Sequence, residues 1–173
     1  MVVAAIRSAT CCGPAPRMRL DTIVNIFSKQ AFYDGMITVH DGSQYRSNIH
    51  VQDIAELYAL MLEAPASLIN GQAFNAVREF AQAINIATTV RDVADIKLKK
   101  YVTIAVDTTK RDARQYRMNG LRLRTLLGWA PQHSIAKAIE DNYIWFKAGG
   151  ITDPNDPLYF NTKRMEATVK GAI

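Results

Sequence analysis

Along the chain, short apolar runs alternate with stretches in which apolar residues recur every three or four positions, and this pattern predicts an α/β protein. Val2 to Ile6 is continuously apolar, as expected of a strand buried on both faces. A Gly13-Pro14 turn and a loop containing Pro16 and Arg17 lead on to Arg19. Leu20, Ile23, Val24, Phe27 and Ala31 then share one helical face, and Gly35 is placed to end that helix. Met36 to His40 reads as a strand and Asp41 to Gln44 as a turn. A second helix is expected to open between Asn48 and Val51, with Ile54, Tyr58, Met61 and Leu62 on its inner face and Pro65 as its stop. Gly71 to Val77 is a further strand, followed by a helix from about Phe80 to Val93 and a strand from Tyr101 to Val106. Leu121 to Leu127 reads as a short helix closed by Gly128, and Ser134 as the N-cap of a long one reaching about Lys147. Asp153-Pro154 and Asp156-Pro157 break the remainder, so residues 149–173 are expected to lie on the surface without regular structure.

Composition narrows the class. The 173 residues are 49% hydrophobic and 21% charged, with only 9 Gly and 6 Pro, which fits a packed globular chain and excludes disorder and collagen-like repeats. No membrane span or secretory signal is legible, so a cytoplasmic protein is expected. The two cysteines, Cys11 and Cys12, are adjacent and form neither a disulfide framework nor a metal-ligand spacing. His40, His50 and His133 stand far apart and read as packing or surface residues. The formal charge of +5 is unevenly placed: nine basic and two acidic residues fall between Lys97 and Arg124, leaving the rest of the chain slightly acidic. That concentration suggests an anionic partner, against the alternative of an ordinary solvated face. Only Tyr101 and Tyr116 are interleaved with it, and no nucleic-acid motif accompanies it, so nucleic acid is not the expected partner.

Neither GxSxG, GxGxxG nor GxxxxGK[ST] occurs. What stands out instead is an ordered set of segments. Arg7-Ser8-Ala9-Thr10-Cys11-Cys12-Gly13-Pro14 closes the first strand. Gly42-Ser43-Gln44-Tyr45-Arg46-Ser47-Asn48-Ile49-His50-Val51-Gln52-Asp53-Ile54-Ala55 follows, then Phe74-Asn75. Arg111-Asp112-Ala113-Arg114-Gln115-Tyr116 and Leu126-Leu127-Gly128-Trp129-Ala130-Pro131 complete the series. In this order they resemble the C-terminal part of the extended short-chain dehydrogenase/reductases, specifically the NAD-dependent epimerase/dehydratase family that acts on nucleotide sugars.

The resemblance implies the last parallel strands of a Rossmann-type sheet plus a small α/β substrate-binding domain, with the N-terminal half of the fold missing. It implies NAD(P) as cofactor of the complete enzyme and a nucleoside-diphosphate sugar as ligand. Ser8 and Ala9 match positions that approach the nicotinamide. Thr10 matches a position where the family often has an Asn facing the substrate. Arg46 matches a diphosphate ligand, and a guanidinium suits that task because it offers paired donors. Arg111 and Arg114 are candidates for a second phosphate contact, with Asp112 on the ribose or on an arginine. Ile37, Thr38 and Val39 match a strand that contacts the nucleoside largely through its backbone, and Arg19 and Leu20 match the loop closing over it.

The family's chemistry uses a Tyr-x-x-x-Lys pair and a dinucleotide-binding GxxGxxG. Tyr143 and Lys147 have the first spacing but follow all the substrate-domain motifs, so they are not that pair, and the second motif is absent. Residues 1–173 therefore read as the substrate-binding portion of an epimerase, dehydratase or related enzyme whose catalytic groups would lie upstream of Met1. An upstream Rossmann half or a homodimer partner is expected to complete it. The strand at residues 2–6 should consequently show an apolar edge. Two other functions remain open: a catalytically inactive module binding a nucleotide sugar or another anion, and an extended reductase of a small carbonyl compound.

Overall fold

A computed structural model describes residues 1–109, 114–169 and 171. Among the described residues three small sheets organise the fold. β1 (Ala4–Ser8) pairs in parallel with β5 (Gln72–Ala76), Ala4 opposite Gln72 and Ser8 opposite Ala76. β2 (Thr10–Cys12) lies parallel to β4 (Tyr45–His50), which also pairs antiparallel with β6 (Glu79–Gln82). β3 (Met36–His40) pairs in parallel with β7 (Thr103–Asp107). The mixed α/β architecture with parallel pairs is the one expected.

Helices cover these sheets in two cores. In the larger, α1 (Ile23–Lys29), α4 (Ala83–Leu98) and α6 (Ile135–Lys147) enclose Val24, Phe27, Ile86, Val90, Ile139 and Phe146 against Ile37 and Val39 of β3. Tyr143 belongs to this core, its hydroxyl donating to the Val90 carbonyl at 3.2 Å, and burial raises its pKa. It is a packing residue. In the smaller core, α2 (Val51–Glu63), the short α3 (Ala66–Ile69) and α5 (Leu121–Leu127) contribute Leu57, Ile69 and Leu123, which pack with Phe74 of β5 and Ile49 of β4.

Several boundaries differ from the sequence expectation, each for a physical reason. The first strand runs from Ala4 to Ser8 because its register is set by pairing with β5, and Val2 and Val3 are left 51% and 54% exposed. α1 passes into a π-helical turn over Gln30–Asp34 before Gly35, at φ +71°, ends it. Asn48 does not start a helix. It lies in β4, fully buried, and the helix begins after His50, whose Nδ1 accepts the Gln52 N–H as a cap. Phe80 likewise lies in a strand, β6, opposite Ser47. The segment from Gly149 is not irregular. Asp156 caps a 3₁₀ turn at Pro157–Tyr159, α7 (Asn161–Val169) follows, and Ile151 and Tyr159 are buried in the larger core. The Asp-Pro pairs punctuate this segment without preventing a helix beyond them.

Among the described residues β1 has a single strand partner, and beside it an apolar groove of ≈ 570 Å³ runs between β1 and α2. Ile6, Tyr58, Met61, Leu62 and Ile69 line it, and Leu62 is 89% exposed. The apolar edge expected of the first strand is present. No helix among the described residues is long and apolar enough to cross a membrane.

Candidate functional site

β1 and β5 run in parallel, so their carboxyl ends open on the same side, where ligands of open α/β sheets bind. Beyond Ser8 the chain extends the ladder through Ala9, whose N–H donates to Ala76 at 2.8 Å, and then enters β2. Thr10 is thereby set opposite Asn48 of β4, two residues along from Arg46. A cleft of ≈ 510 Å³ forms at this junction. Six residues singled out in the sequence line it: Ser8, Ala9, Thr10, Arg19, Arg46 and Arg114.

A strap, residues 114–120, crosses this region. Arg46 Nη1 donates to the Arg114 carbonyl and to its neighbour Tyr45 O at 2.9 Å, and its guanidinium lies 5.4 Å from the Tyr116 ring centroid. Tyr116 N–H donates to Tyr45 O at 3.2 Å. The Ser47 hydroxyl donates to Tyr116 O and accepts from Met118 N–H, and Asn75 Nδ2 donates to Asn119 O. β4 and β5 thus present side chains that fasten the strap, and Arg46 both lines the cleft and holds its cover.

The remaining expected residues fall elsewhere. Leu20, Ile37 and Val39 are fully buried in the larger core, and Thr38 is half-buried on β3, its N–H donating to Gln30 Oε1. None of the four lines the cleft: alternation along β3 turns Ile37 and Val39 into the larger core, and Leu20, ahead of α1, packs in that same core. Arg111 and Asp112 lie outside the described residues. Among the described cations between Lys97 and Arg124, only Arg114 lines the cleft. Lys97 pairs with Glu140, Lys100 donates to Phe32 O, Arg117 covers the Tyr45 ring at 3.8 Å, and Arg122 stacks near Phe74. Among the described residues, these cations are dispersed over separate partners.

Cys11, Asp21 and Tyr116 line the cleft without having been singled out as site residues. Burial pushes the Cys11 thiol above its ordinary pKa, so it is a neutral, weakly nucleophilic group. Cys12 is raised further, chiefly by burial and then by the charges around it, and packs in the core.

A second polar cluster sits at the other end of β4. Asp53 of α2, fully buried, accepts N–H bonds from Gln132 (2.9 Å) and His133 (3.1 Å) and contacts His133 Nδ1 at 2.8 Å. The His133 and His50 rings are 4.8 Å apart. His50 Nε2 lies 3.3 Å from Asp141 Oδ2 without the alignment of a full hydrogen bond, and Asp141 also pairs with Lys137. Burial and then His133 depress the His50 pKa, with Asp141 and Asp53 opposing. Gly13, at φ +106°, packs on this ring, and a Cβ there would come within 2.9 Å of Nε2. Among the described residues no group of three or more His, Cys, Asp or Glu could hold a metal ion.

A larger opening of ≈ 630 Å³, bordered by Arg78, Arg124 and Trp129, contains none of the expected site residues. The smaller cleft is taken as the site because residues distant in sequence converge on it.

These features define a partial Rossmann-type α/β fold with a cation-lined cleft at its strand ends. Residues 1–76 match the model of the NAD dependent epimerase/dehydratase family, the family that the ordered motifs resemble. The fold is similar to that of a UDP-glucose 4-epimerase from Thermotoga maritima solved with UDP-glucose (18% identity, TM-score 0.68, covering 86% of this chain and 47% of that one). It is similar also to a UDP-glucuronic acid 4-epimerase from Bacillus cereus in complex with UDP-glucuronic acid and NAD (22%, 0.70, 86% and 46%). A dTDP-glucose 4,6-dehydratase from Bacillus anthracis in complex with NAD matches at 14% identity and TM-score 0.65, over 91% of this chain and 46% of that one. The chain spans about half the length of each of these structures.

Proposed function

We propose that this chain is the substrate-binding half of a nucleotide-sugar epimerase or 4,6-dehydratase, with a nucleoside diphosphate in the cleft between β1, β2, β4 and the strap. The observation that carries this reading is convergence: Ser8, Thr10, Arg19, Arg46 and Arg114, drawn from more than a hundred residues of sequence, line one cleft with three arginines against one aspartate. The family match and the UDP-sugar ligands of two similar structures support it.

Arg46 and Arg114 would supply donors and positive field to the diphosphate. Thr10, on the cleft wall, would face the sugar. The small side chains Ser8 and Ala9 leave the carboxyl end of β1 open, and the Ser8 hydroxyl is turned to the Ala9 carbonyl, which suits the close approach of a flat nicotinamide ring. A nicotinamide held at this edge would bring hydride-transfer chemistry to a sugar carbon. The groups that bind its phosphates and abstract the substrate proton would come from a Rossmann half carrying the GxxGxxG and Tyr-x-x-x-Lys motifs, docked along β1.

Calorimetric titration with UDP and dTDP tests the reading. Binding is expected, and Arg46→Ala should weaken it by about tenfold or more, the worth of a charge-assisted contact. A reductase of a small carbonyl compound would leave diphosphate without affinity and Arg46→Ala nearly silent, and either result would overturn the proposal.

A further inference from the structure

Arg19 is held with unusual completeness for a residue 48% exposed in its side chain. Its carbonyl accepts from Thr22 Oγ1 at 3.2 Å and from Asn25 Nδ2 at 3.0 Å, and Asn25 is itself buried, accepting the Gly13 N–H and an N–H of Asn142. The next residue, Leu20, donates its N–H to Tyr159 O at 2.9 Å, so the loop is tied to the C-terminal segment. Its guanidinium meets Asp21 edge-on: Nε to Oδ1 at 2.9 Å and Nη2 to Oδ2 at 3.3 Å. Asp21 Oδ2 in turn accepts the backbone N–H of Asn161 at 3.1 Å, while Asn161 Oδ1 accepts from Arg17. Partial burial alone would raise the Asp21 carboxyl, but Arg19 and the Asn161 N–H together hold it below the ordinary value.

We propose that Asp21 and the C-terminal segment 156–161 form a positioning device for Arg19, presenting its outer N–H groups to a phosphate-bearing ligand in the cleft. A guanidinium has five N–H groups. Asp21 occupies two along one edge and leaves three for a ligand. Both Arg19 and Asp21 line the cleft, so the ion pair is part of its wall. The pair is neutral as a whole. Its contribution is therefore direction, while Arg46 and Arg114 supply the field. The rotamer freedom of a long side chain is lost on folding instead of on binding, which is how preorganisation raises affinity. The tail, expected from the sequence to lie on the surface without regular structure, thus acts on the cleft through Asp21 from 140 residues away.

This inference rests on the nucleotide-sugar reading of the cleft, and its test separates the two. In the ¹⁵N-labelled 173-residue chain, the Arg19 Nε–H resonance, assigned with Arg19→Lys, is expected to exchange slowly with water. Asp21→Ala should make it fast, Asp21→Glu should restore part of the protection, and Asn161→Pro, which removes the N–H that holds Asp21 along with the side-chain acceptor of Arg17, should weaken it. With UDP as probe, Arg19→Ala and Asp21→Ala should each weaken binding by about tenfold, and the double variant should be no weaker than Arg19→Ala alone, as for residues acting as one unit. Additive losses, or an Nε–H signal unchanged by both Asp21→Ala and Asn161→Pro, would overturn the positioning role. UDP binding that depends on Arg46 but is indifferent to Arg19 and Asp21 would overturn this inference alone. No UDP binding, with the Nε–H signal responding as expected, would overturn the nucleotide reading while leaving Arg19 held as described.

Discussion

β4 carries Arg46 near one end and His50 at the other, and polar side chains gather around both. At the His50 end the central groups turn inward: Asp53 is fully buried and spends both oxygens on the loop before α6, and His50 is 5% exposed, with the partly exposed His133 and Asp141 packed around them. At the Arg46 end the side chains are half-buried, as Arg46 is, or exposed, as Arg19 and Arg114 are, and they open on a cleft. Both clusters look like active sites in composition, since one holds two histidines and two aspartates and the other three arginines. Burial separates them. A buried carboxylate whose oxygens are already engaged inside the protein, as those of Asp53 are, serves cohesion, whereas a guanidinium that keeps donors at a concave surface can serve a ligand.

The sharpest way to break this contrast is to remove the carboxylate at the buried end. Asp53→Ala leaves two backbone N–H groups and a histidine without their acceptor, and it should lower unfolding free energy by about 3 kcal/mol in urea denaturation. A loss below about 1 kcal/mol would mean that the buried cluster is not the cohesive end of β4. At the open end Arg46→Ala should do the reverse. It should change stability by no more than about 1 kcal/mol, because the side chain is half-exposed. Its effect should fall on nucleotide affinity.

The pH dependence sharpens the same contrast. His50 has a folded-state pKa below its ordinary 6.5, so between those two values the unfolded chain binds the proton and the folded chain does not. Stability contributed by neutral His50 is therefore complete above about pH 6.5 and falls as pH drops through the window below it. The ring faces His133, Asp53 and Asp141, with Lys137 behind Asp141, so the slope reports the cluster as a whole. Denaturation midpoints from pH 7 to 5 should decline in the native chain and flatten in His50→Asn, which keeps an acceptor to cap α2. Equal slopes in both would remove His50 as the cause.

Where side-chain period and capping chemistry agreed, the sequence was readable. Leu121 to Leu127 with Gly128 is a helix, Ser134 caps the helix that ends at Lys147, and Gly35 stops the first helical segment. β2, β4 and β6 were not readable as strands, because they carry Thr10, Ser47, Asn48 and Gln82 where strands usually carry branched apolar residues. The Ser47 hydroxyl is engaged by the strap, at Tyr116 and Met118, partnerships that span tens of residues and leave no periodic trace. The cleft was legible in part for the opposite reason. Arg46 and the Ser8 to Thr10 run stand in an ordered motif, whereas Asp21 gains its meaning only when Asn161 folds back on it, and His50 and His133 only when 82 intervening residues bring their rings together.

The smallest expected effect concerns the face that neither end of β4 serves. Leu62 projects from α2 beside the unpaired edge of β1 and is 89% exposed, so Leu62→Lys removes almost no buried surface. Its stability should change by less than about 0.5 kcal/mol, the range of ordinary surface substitutions. Yet the groove it borders is lined by Ile6, Tyr58, Met61 and Ile69, and an exposed apolar surface beside an open strand edge favours association. Light scattering at rising concentration should therefore show less self-association in Leu62→Lys than in the native chain, while UDP affinity stays the same. If stability falls instead by about 2 kcal/mol, the cost of uncovering a buried leucine, then the groove is already filled in solution. The contrast between a closed cluster, an open cleft and an uncovered edge would then need to be redrawn.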